Sequence, residues 1–327
     1  MEKEIEGSLL NGKMQKAYRV GALLYIPAVY DLSVVDKIAR GDFKSVAFCL
    51  EDSIADDAVE QAEINLKRIL TAIKERKIAN LPMIFIRPRS PKHLERVHNA
   101  IMGQIDIVSG YVLPKFDMSN ANEYKAIFLE INKQSQTPLY MMPILESRLI
   151  AQKSTRTEEL YQIKAVLDSI SEYVLNVRVG GNDFCNLFGI RRRVNQTVYD
   201  AGVVRDILID ILNVFSLDYV VSGPVWEYYG KDENGDWAKG LKRELELDLL
   251  NGFVGKTSIH PEQIPIIYKS LRVDKNDYQD ALSILGWHSS RLGVFSSANH
   301  SRMNEVKCHR KWAERIFILA SIYGIKE

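Results

Sequence analysis

Eight short apolar runs, each stopped by proline, glycine or a charged residue, alternate with amphipathic stretches along this 327-residue chain. The runs cover residues 22–28, 45–50, 83–86, 110–115, 141–145, 174–179, 218–224 and 252–261. Helical spacing of apolar residues marks segments 33–40, 58–77, 120–132, 158–171, 199–215 and 237–251 between them. Runs that are apolar on both faces suit strands of a parallel sheet covered by helices, and no all-α or all-β block interrupts the order. A count of eight favours closure into an α/β TIM (β/α)8 barrel, which takes about 250 residues. An open doubly wound sheet is the alternative. The first run is not followed by GxGxxG, however, and Gly180-Gly181 lacks that spacing.

Past Pro261 the pattern turns helical again, over residues 264–271 and 304–323. A barrel domain over residues 1–264, including an N-terminal lead, and a C-terminal helical extension over residues 265–327 are therefore expected. Trp312, Ile316, Leu319, Ala320 and Tyr323 form an apolar stripe on the last helix. Such a stripe suggests a subunit contact and hence a homo-oligomer.

Forty-three basic and 42 acidic residues leave a net charge of +1, so nothing marks nucleic acid or a membrane surface as the main partner. Cys49, Cys185 and Cys308 are far apart and form no CxxC pair, which argues against a disulfide framework or a zinc cluster. Residues 1–16 are polar and lack the apolar core of a signal peptide, and no apolar run is long enough to span a membrane. A soluble, cytoplasmic protein with a small-molecule substrate is expected.

In a parallel barrel the carboxyl ends of all strands form one rim, so residues there converge however distant in sequence. The rule gathers Glu51, Asp52, Arg87, Arg89, Lys115, Glu146, Asp183 and Ser222. Adjacent strands lie about 4.8 Å apart, close enough for Glu146 and Asp183 to repel, and a divalent cation would offset that repulsion. Magnesium suits two protein carboxylates because water and substrate oxygens complete its shell, and manganese is the alternative. A metal flanked by arginine points to a substrate with adjacent keto and carboxylate oxygens, chelated so that an enolate is stabilised.

Blander readings stand beside these. Glu146 is either a ligand or a rim salt bridge, and Asp183 a ligand or a helix cap. Arg87 and Arg89 are either substrate-facing or solvated loop charges. Glu51-Asp52-Ser53 reads equally as a helix start. His260-Pro261 reads as a buried turn, Arg191-Arg192-Arg193 as a solvated face, and Cys49 as core.

Six stretches, in order, resemble the citrate lyase β-subunit and malyl-CoA lyase family of metal-dependent carbon–carbon lyases. They are Leu50-Glu51-Asp52-Ser53-Ile54, Ile86-Arg87, Leu113-Pro114-Lys115, Ile144-Leu145-Glu146-Ser147, Gly181-Asn182-Asp183 with Leu187-Phe188-Gly189, and Gly252-Phe253-Val254-Gly255-Lys256 with Ile259-His260-Pro261. The resemblance implies a TIM barrel, Glu146 and Asp183 as magnesium ligands, and Arg87 on the keto-acid or enolate oxygens. It implies a coenzyme A thioester as substrate, or a free hydroxy-oxo acid, cleaved to release a 2-oxo acid. Glu51, Asp52 and Lys115 would orient substrate or water, Arg89 and Ser222 would bind substrate, and no general base is assigned.

This chain departs from the family pattern at Cys49, where the family reads aspartate, at Glu63, where it reads arginine, and at Ser147-Arg148. These departures fall on the thioester-binding parts and leave the metal ligands. A condensing enzyme running the same chemistry in reverse, and a non-catalytic metabolite-binding or scaffold subunit, are the alternatives.

Overall fold

The computed structural model describes residues 12–41, 43–287 and 292–326. In chain order the elements are α1 (Gly12–Arg19), β1 (Ala22–Pro27), α2 (Ser33–Arg40), β2 (Ser45–Cys49), α3 (Val59–Arg76), β3 (Met83–Arg87), α4 (Pro91–Ala100), β4 (Gly110–Leu113), α5 (Ala121–Gln134) and β5 (Tyr140–Leu145). There follow α6 (Arg148–Ala151), α7 (Lys153–Asp168), β6 (Val177–Val179), α8 (Gly181–Leu187), α9 (Gly202–Phe215), β7 (Val221–Ser222), α10 (Asp236–Asn251) and β8 (Lys256–Ser258). The chain ends with α11 (Gln263–Leu271), α12 (Lys275–Leu285), β9 (Val294–Ser296), β10 (Met303–Glu305) and α13 (Val306–Tyr323).

All eight barrel strands are parallel, in the order β7-β6-β5-β4-β3-β2-β1-β8. Closure between β7 and β8 comes from a bridge between Gly223 and Lys256, beside backbone bonds such as Gly223 N–H to the Gly255 carbonyl at 2.9 Å. Every residue of β2, β4 and β5 is buried, which explains why those segments read as unbroken apolar runs. Helix α3 buries Ala62, Leu66, Ile69, Leu70 and Ile73, one stripe at helical spacing. Each Leu or Ile fully removed from water there contributes about 1.5–3 kcal/mol. The helix stops at Lys77, whose backbone turns left-handed at φ 50°.

Two compact units divide the chain, one of residues 20–267 and one that joins residues 12–19 to residues 268–326. The second unit therefore contains both α1 and the C-terminal helices. Within it the Tyr323 hydroxyl donates to the Tyr18 carbonyl at 2.9 Å. Ala281, Ile284 and Ala313 form its core, with Trp312 and Ile316 packed against them, so these members of the stripe on α13 are covered by the chain itself.

Four elements carry no strong sequence signal. Helix α4 begins at Pro91 behind the Ser90 cap, α12 follows Asp274, and β9 and β10 pair antiparallel as a hairpin. Among the described residues no helix is long and apolar enough to cross a membrane.

Candidate active site

Strand register brings the first group together. Cys49, the last residue of β2, lies opposite Arg87, the last of β3. The turn after β2 then delivers Glu51 and Asp52 to the Arg87 guanidinium, whose Nη2 lies 2.8 Å from Glu51 Oε2 and 3.0 Å from Asp52 Oδ2. The same nitrogen is 3.8 Å from Glu146 Oε1. Burial opposes the charge on Arg87, but Tyr25, Cys49, Glu146 and Glu51 hold its proton more firmly than in an ordinary arginine.

Lys115, just past β4, adopts the left-handed region at φ 50°, a conformation that costs a non-glycine residue about 1–2 kcal/mol. That turn lets it serve two sides of the site. Its backbone N–H donates to Glu146 Oε1 at 2.8 Å, while its ammonium pairs with Glu51 and with Asp52 Oδ1 at 3.1 Å. Burial pushes the Glu51 carboxyl above its usual value. Asp52 goes the other way. Burial works to raise it, yet its hydrogen bond with Glu51, then Arg87 and Lys115, bring it down to about 2.

Glu146 emerges from β5 with its side chain 2% exposed. Asp183 lies in the first turn of α8, after Gly180 and Gly181, and its side chain hydrogen-bonds with that of Glu146. Burial pushes the Glu146 carboxyl up to about 8, with Asp183 adding to the rise and Arg87 opposing it. Gly180 makes this approach sterically feasible, since a Cβ there would lie 2.1 Å from Glu146 Oε2. Two hard carboxylate donors, one of which resists ionisation because it is buried and because the other is beside it, are oxygen ligands of the kind that could hold magnesium. Among the described residues no cluster of three or more potential metal-binding His, Cys, Asp or Glu side chains forms.

These groups face a cavity of about 420 Å³. Asp52, Arg87, Glu146 and Asp183 line it, together with Tyr25, Thr257, Val225 and Ile259. A larger groove of about 840 Å³, with Arg148, Phe188, Arg205 and Asp210 among its walls, shares no lining residue with it.

Several sequence expectations are corrected. Arg89 does not reach the cavity wall, because its guanidinium clamps the β2 turn through the Leu50 carbonyl at 2.8 Å, the Ile54 carbonyl and Asp56. Ser222 is fully buried, donating to the Val254 carbonyl at 2.7 Å and accepting from Asn176 Nδ2 at 2.9 Å, which leaves it structural. Arg192, read as part of a solvated face, is 3% exposed and paired with Glu244. Cys49 is buried as expected but also lines the cavity. His260 stacks on Tyr229 with ring centroids 4.3 Å apart. Glu63 binds His93 Nε2 at 2.8 Å and pairs with Arg96.

Sequence reasoning missed Tyr25 and Thr257. A signal existed for both, since Tyr25 with Pro27, and Thr257 with Ile259, are pairs two residues apart and so share one face of a strand.

The sequence profile of the C-C bond lyases of the TIM-barrel fold matches residues 14–325. No curated protein matches the chain. Among solved structures, the chain is similar to CitE from Mycobacterium tuberculosis in complex with magnesium, acetoacetate and coenzyme A, at 18% identity, covering 93% of this chain and 99% of that one with a TM-score of 0.61. It is also similar to the magnesium and glyoxylate complex of Haloferax volcanii malate synthase, at 11% identity over 76% of this chain and 74% of the other, with a TM-score of 0.60. RipC from Yersinia pestis matches at 15% identity, covering 78% and 95% with a TM-score of 0.53. At such identities these likenesses speak for the fold. The profile match over nearly the whole sequence goes further, and the chain belongs to the family of carbon–carbon bond lyases built on the TIM barrel.

Proposed function

We propose that this protein is a magnesium-dependent lyase or aldolase that releases a 2-oxo acid from a hydroxyacyl thioester or a free hydroxy-oxo acid. The observation that carries the reading is the Glu146–Asp183 pair, two carboxylates in hydrogen-bond contact on a cavity wall beside a buried arginine. A magnesium ion held by these two residues would supply the positive charge that polarises adjacent keto and carboxylate oxygens. Magnesium accompanies small oxo acids in several structures to which the chain is similar.

The remaining chemistry belongs to the chain itself. Arg87 lines the cavity and presents a planar cation to it. Such a donor suits the oxygen on which charge develops as the carbon–carbon bond breaks. Glu51 and Lys115 hold the guanidinium and the Asp52 carboxylate in place from behind. With Asp52 held near 2, its carboxylate is ionised at neutral pH and orients water or a substrate hydroxyl as an acceptor.

The test is release of 2-oxo acids from malyl-, citryl- and citramalyl-CoA and from free hydroxy-oxo acids, with and without magnesium, alongside calorimetric titration of the metal. Glu146→Gln should abolish magnesium binding while the fold is kept, and unchanged metal affinity in that variant refutes the site. Arg87→Ala should retain the metal and lose about 10²–10³-fold in turnover, the scale for losing an oxyanion donor.

A further inference from the structure

Arg178 is an anomaly of the barrel interior. It lies in the middle of β6 and is 1% exposed. Its Nη2 donates to Thr257 Oγ1 at 2.8 Å and its Nη1 to Asn176 Oδ1 at 3.4 Å, it hydrogen-bonds with Tyr25, and its Nε has no partner. Among the described residues none of its partners is a carboxylate. Burying a guanidinium without a counter-charge costs several kcal/mol. Burial accordingly weakens its hold on its proton relative to an ordinary arginine.

Two of its three partners, Tyr25 and Thr257, line the cavity. Tyr25 is therefore held between two guanidinium groups, for Arg87 Cζ lies 5.3 Å from its ring centroid. The charged and titratable groups around it are Arg87 on β3, Arg178 on β6, Glu146 past β5 and Cys49 on β2. Guanidinium nitrogens only donate. The phenol oxygen must accept from Arg178, which leaves its own proton for an acceptor in the cavity.

We propose that Tyr25 is a catalytic residue, the proton donor to the carbon that the cleaved bond leaves as an enolate, and that Arg178 is its positioning residue. This rests on the lyase reading. As the carbon–carbon bond breaks, its electron pair moves into the enolate. The substrate hydroxyl becomes a carbonyl, that of the 2-oxo acid when a hydroxyacyl thioester is cleaved and that of an aldehyde when a hydroxy-oxo acid is cleaved, and its proton leaves to water. The enolate carbon takes the Tyr25 proton to form the new C–H bond. The phenolate, flanked by Arg87 and Arg178, then recovers a proton from water. One proton has passed from oxygen to carbon, and nothing is oxidised or reduced. Burial raises the phenol above its ordinary value and keeps it protonated at neutral pH, while Arg87 and Arg178 oppose that rise.

The experiment is deuterium exchange. Wild-type and Tyr25→Phe enzymes are incubated with magnesium in D₂O with pyruvate, and separately with acetyl-CoA. Deuteration of the methyl group is followed by NMR, and magnesium and pyruvate affinities are measured by calorimetry. Microscopic reversibility makes the donor's conjugate base the group that removes the methyl proton. Tyr25→Phe should lose about 10²-fold or more in exchange with both affinities unchanged. Phenylalanine keeps the ring against Arg87, so such a loss belongs to the hydroxyl. Arg178→Lys keeps the charge but loses the fork, and should give a smaller loss of exchange at unchanged affinity. Exchange at the wild-type rate in Tyr25→Phe overturns the donor and leaves the lyase reading standing. A wild-type enzyme that exchanges neither probe overturns the enolate reading, and the donor with it.

Discussion

Two clusters of buried charge sit in one barrel and have opposite characters. At the β7–β8 closure, Lys256 is fully buried and bonds Glu244 Oε1 at 2.9 Å, Asp248 Oδ2 at 2.7 Å and the Pro224 carbonyl at 2.7 Å. Arg192 takes the other oxygen of Glu244, and the Tyr199 hydroxyl donates to Asp248 Oδ1 at 2.8 Å. Two acids meet two cations there. At the strand ends, the cations that pair with Glu51, Asp52, Glu146 and Asp183 among the described residues are Arg87 and Lys115. The first cluster has its charges balanced by the protein. The second carries two carboxylates more than it has cations among the described residues and opens on a cavity, the imbalance that the proposed divalent ion would offset. Charge inside a barrel does not by itself mark function, whereas charge left uncompensated beside a cavity does.

The contrast can be broken experimentally, beginning with its largest expected effect. Lys256→Met strands Asp248 in the interior and takes from Glu244 one of its two cations, and should cost about 3–5 kcal/mol of stability, read by urea unfolding. A small loss would show that the closure network is not what holds β7 to β8.

Glu146→Gln should act oppositely in the metal-free protein. The folded value near 8 lies above the ordinary 4.5, so the folded state favours the protonated carboxyl. Its stabilising contribution is complete below about pH 4.5 and is lost as pH rises through 8, on the order of several kcal/mol at about 1.4 kcal/mol per pKa unit. Melting curves from pH 5 to 8 should show the wild-type chain weakening relative to Glu146→Gln. Parallel curves would mean that the carboxyl ionises freely. The smallest effect belongs to Arg89→Ala, which removes the clamp on the β2 turn. It should cost about 1–2 kcal/mol, read by thermal melting, with magnesium affinity intact.

The strands were legible because burial on both faces leaves an apolar run that sequence displays directly, as in residues 45–50 and 141–145. Glu146, Asp183 and Arg87 were legible because each follows such a run. Val-Arg-Val at residues 177–179 hid Arg178, since a strand's period of two does not say which of its faces points into a barrel. Glu244 and Asp248 lie on α10 among solvent-facing charges of the same types, and only the position of Lys256 across the closure distinguishes them. Ser222 failed as a site residue for a related reason. A strand-end position places the backbone at the rim, but the hydroxyl turns back toward Val254.

The closure between β7 and β8 has a further consequence. Seven of the eight joints in the ring are strand ladders, and the eighth is a bridge reinforced by Lys256, Glu244, Asp248 and Arg192. Burial, with Glu244 beside it and Lys256 opposing, raises the Asp248 carboxyl to about 6. Mild acid thus favours the protonated form of Asp248, one of the two acids of the clasp. Residues on both sides of that clasp, Val225 and Thr257, form part of the cavity wall. The closure of the barrel and part of the cavity wall therefore meet at one joint, beside the same four side chains.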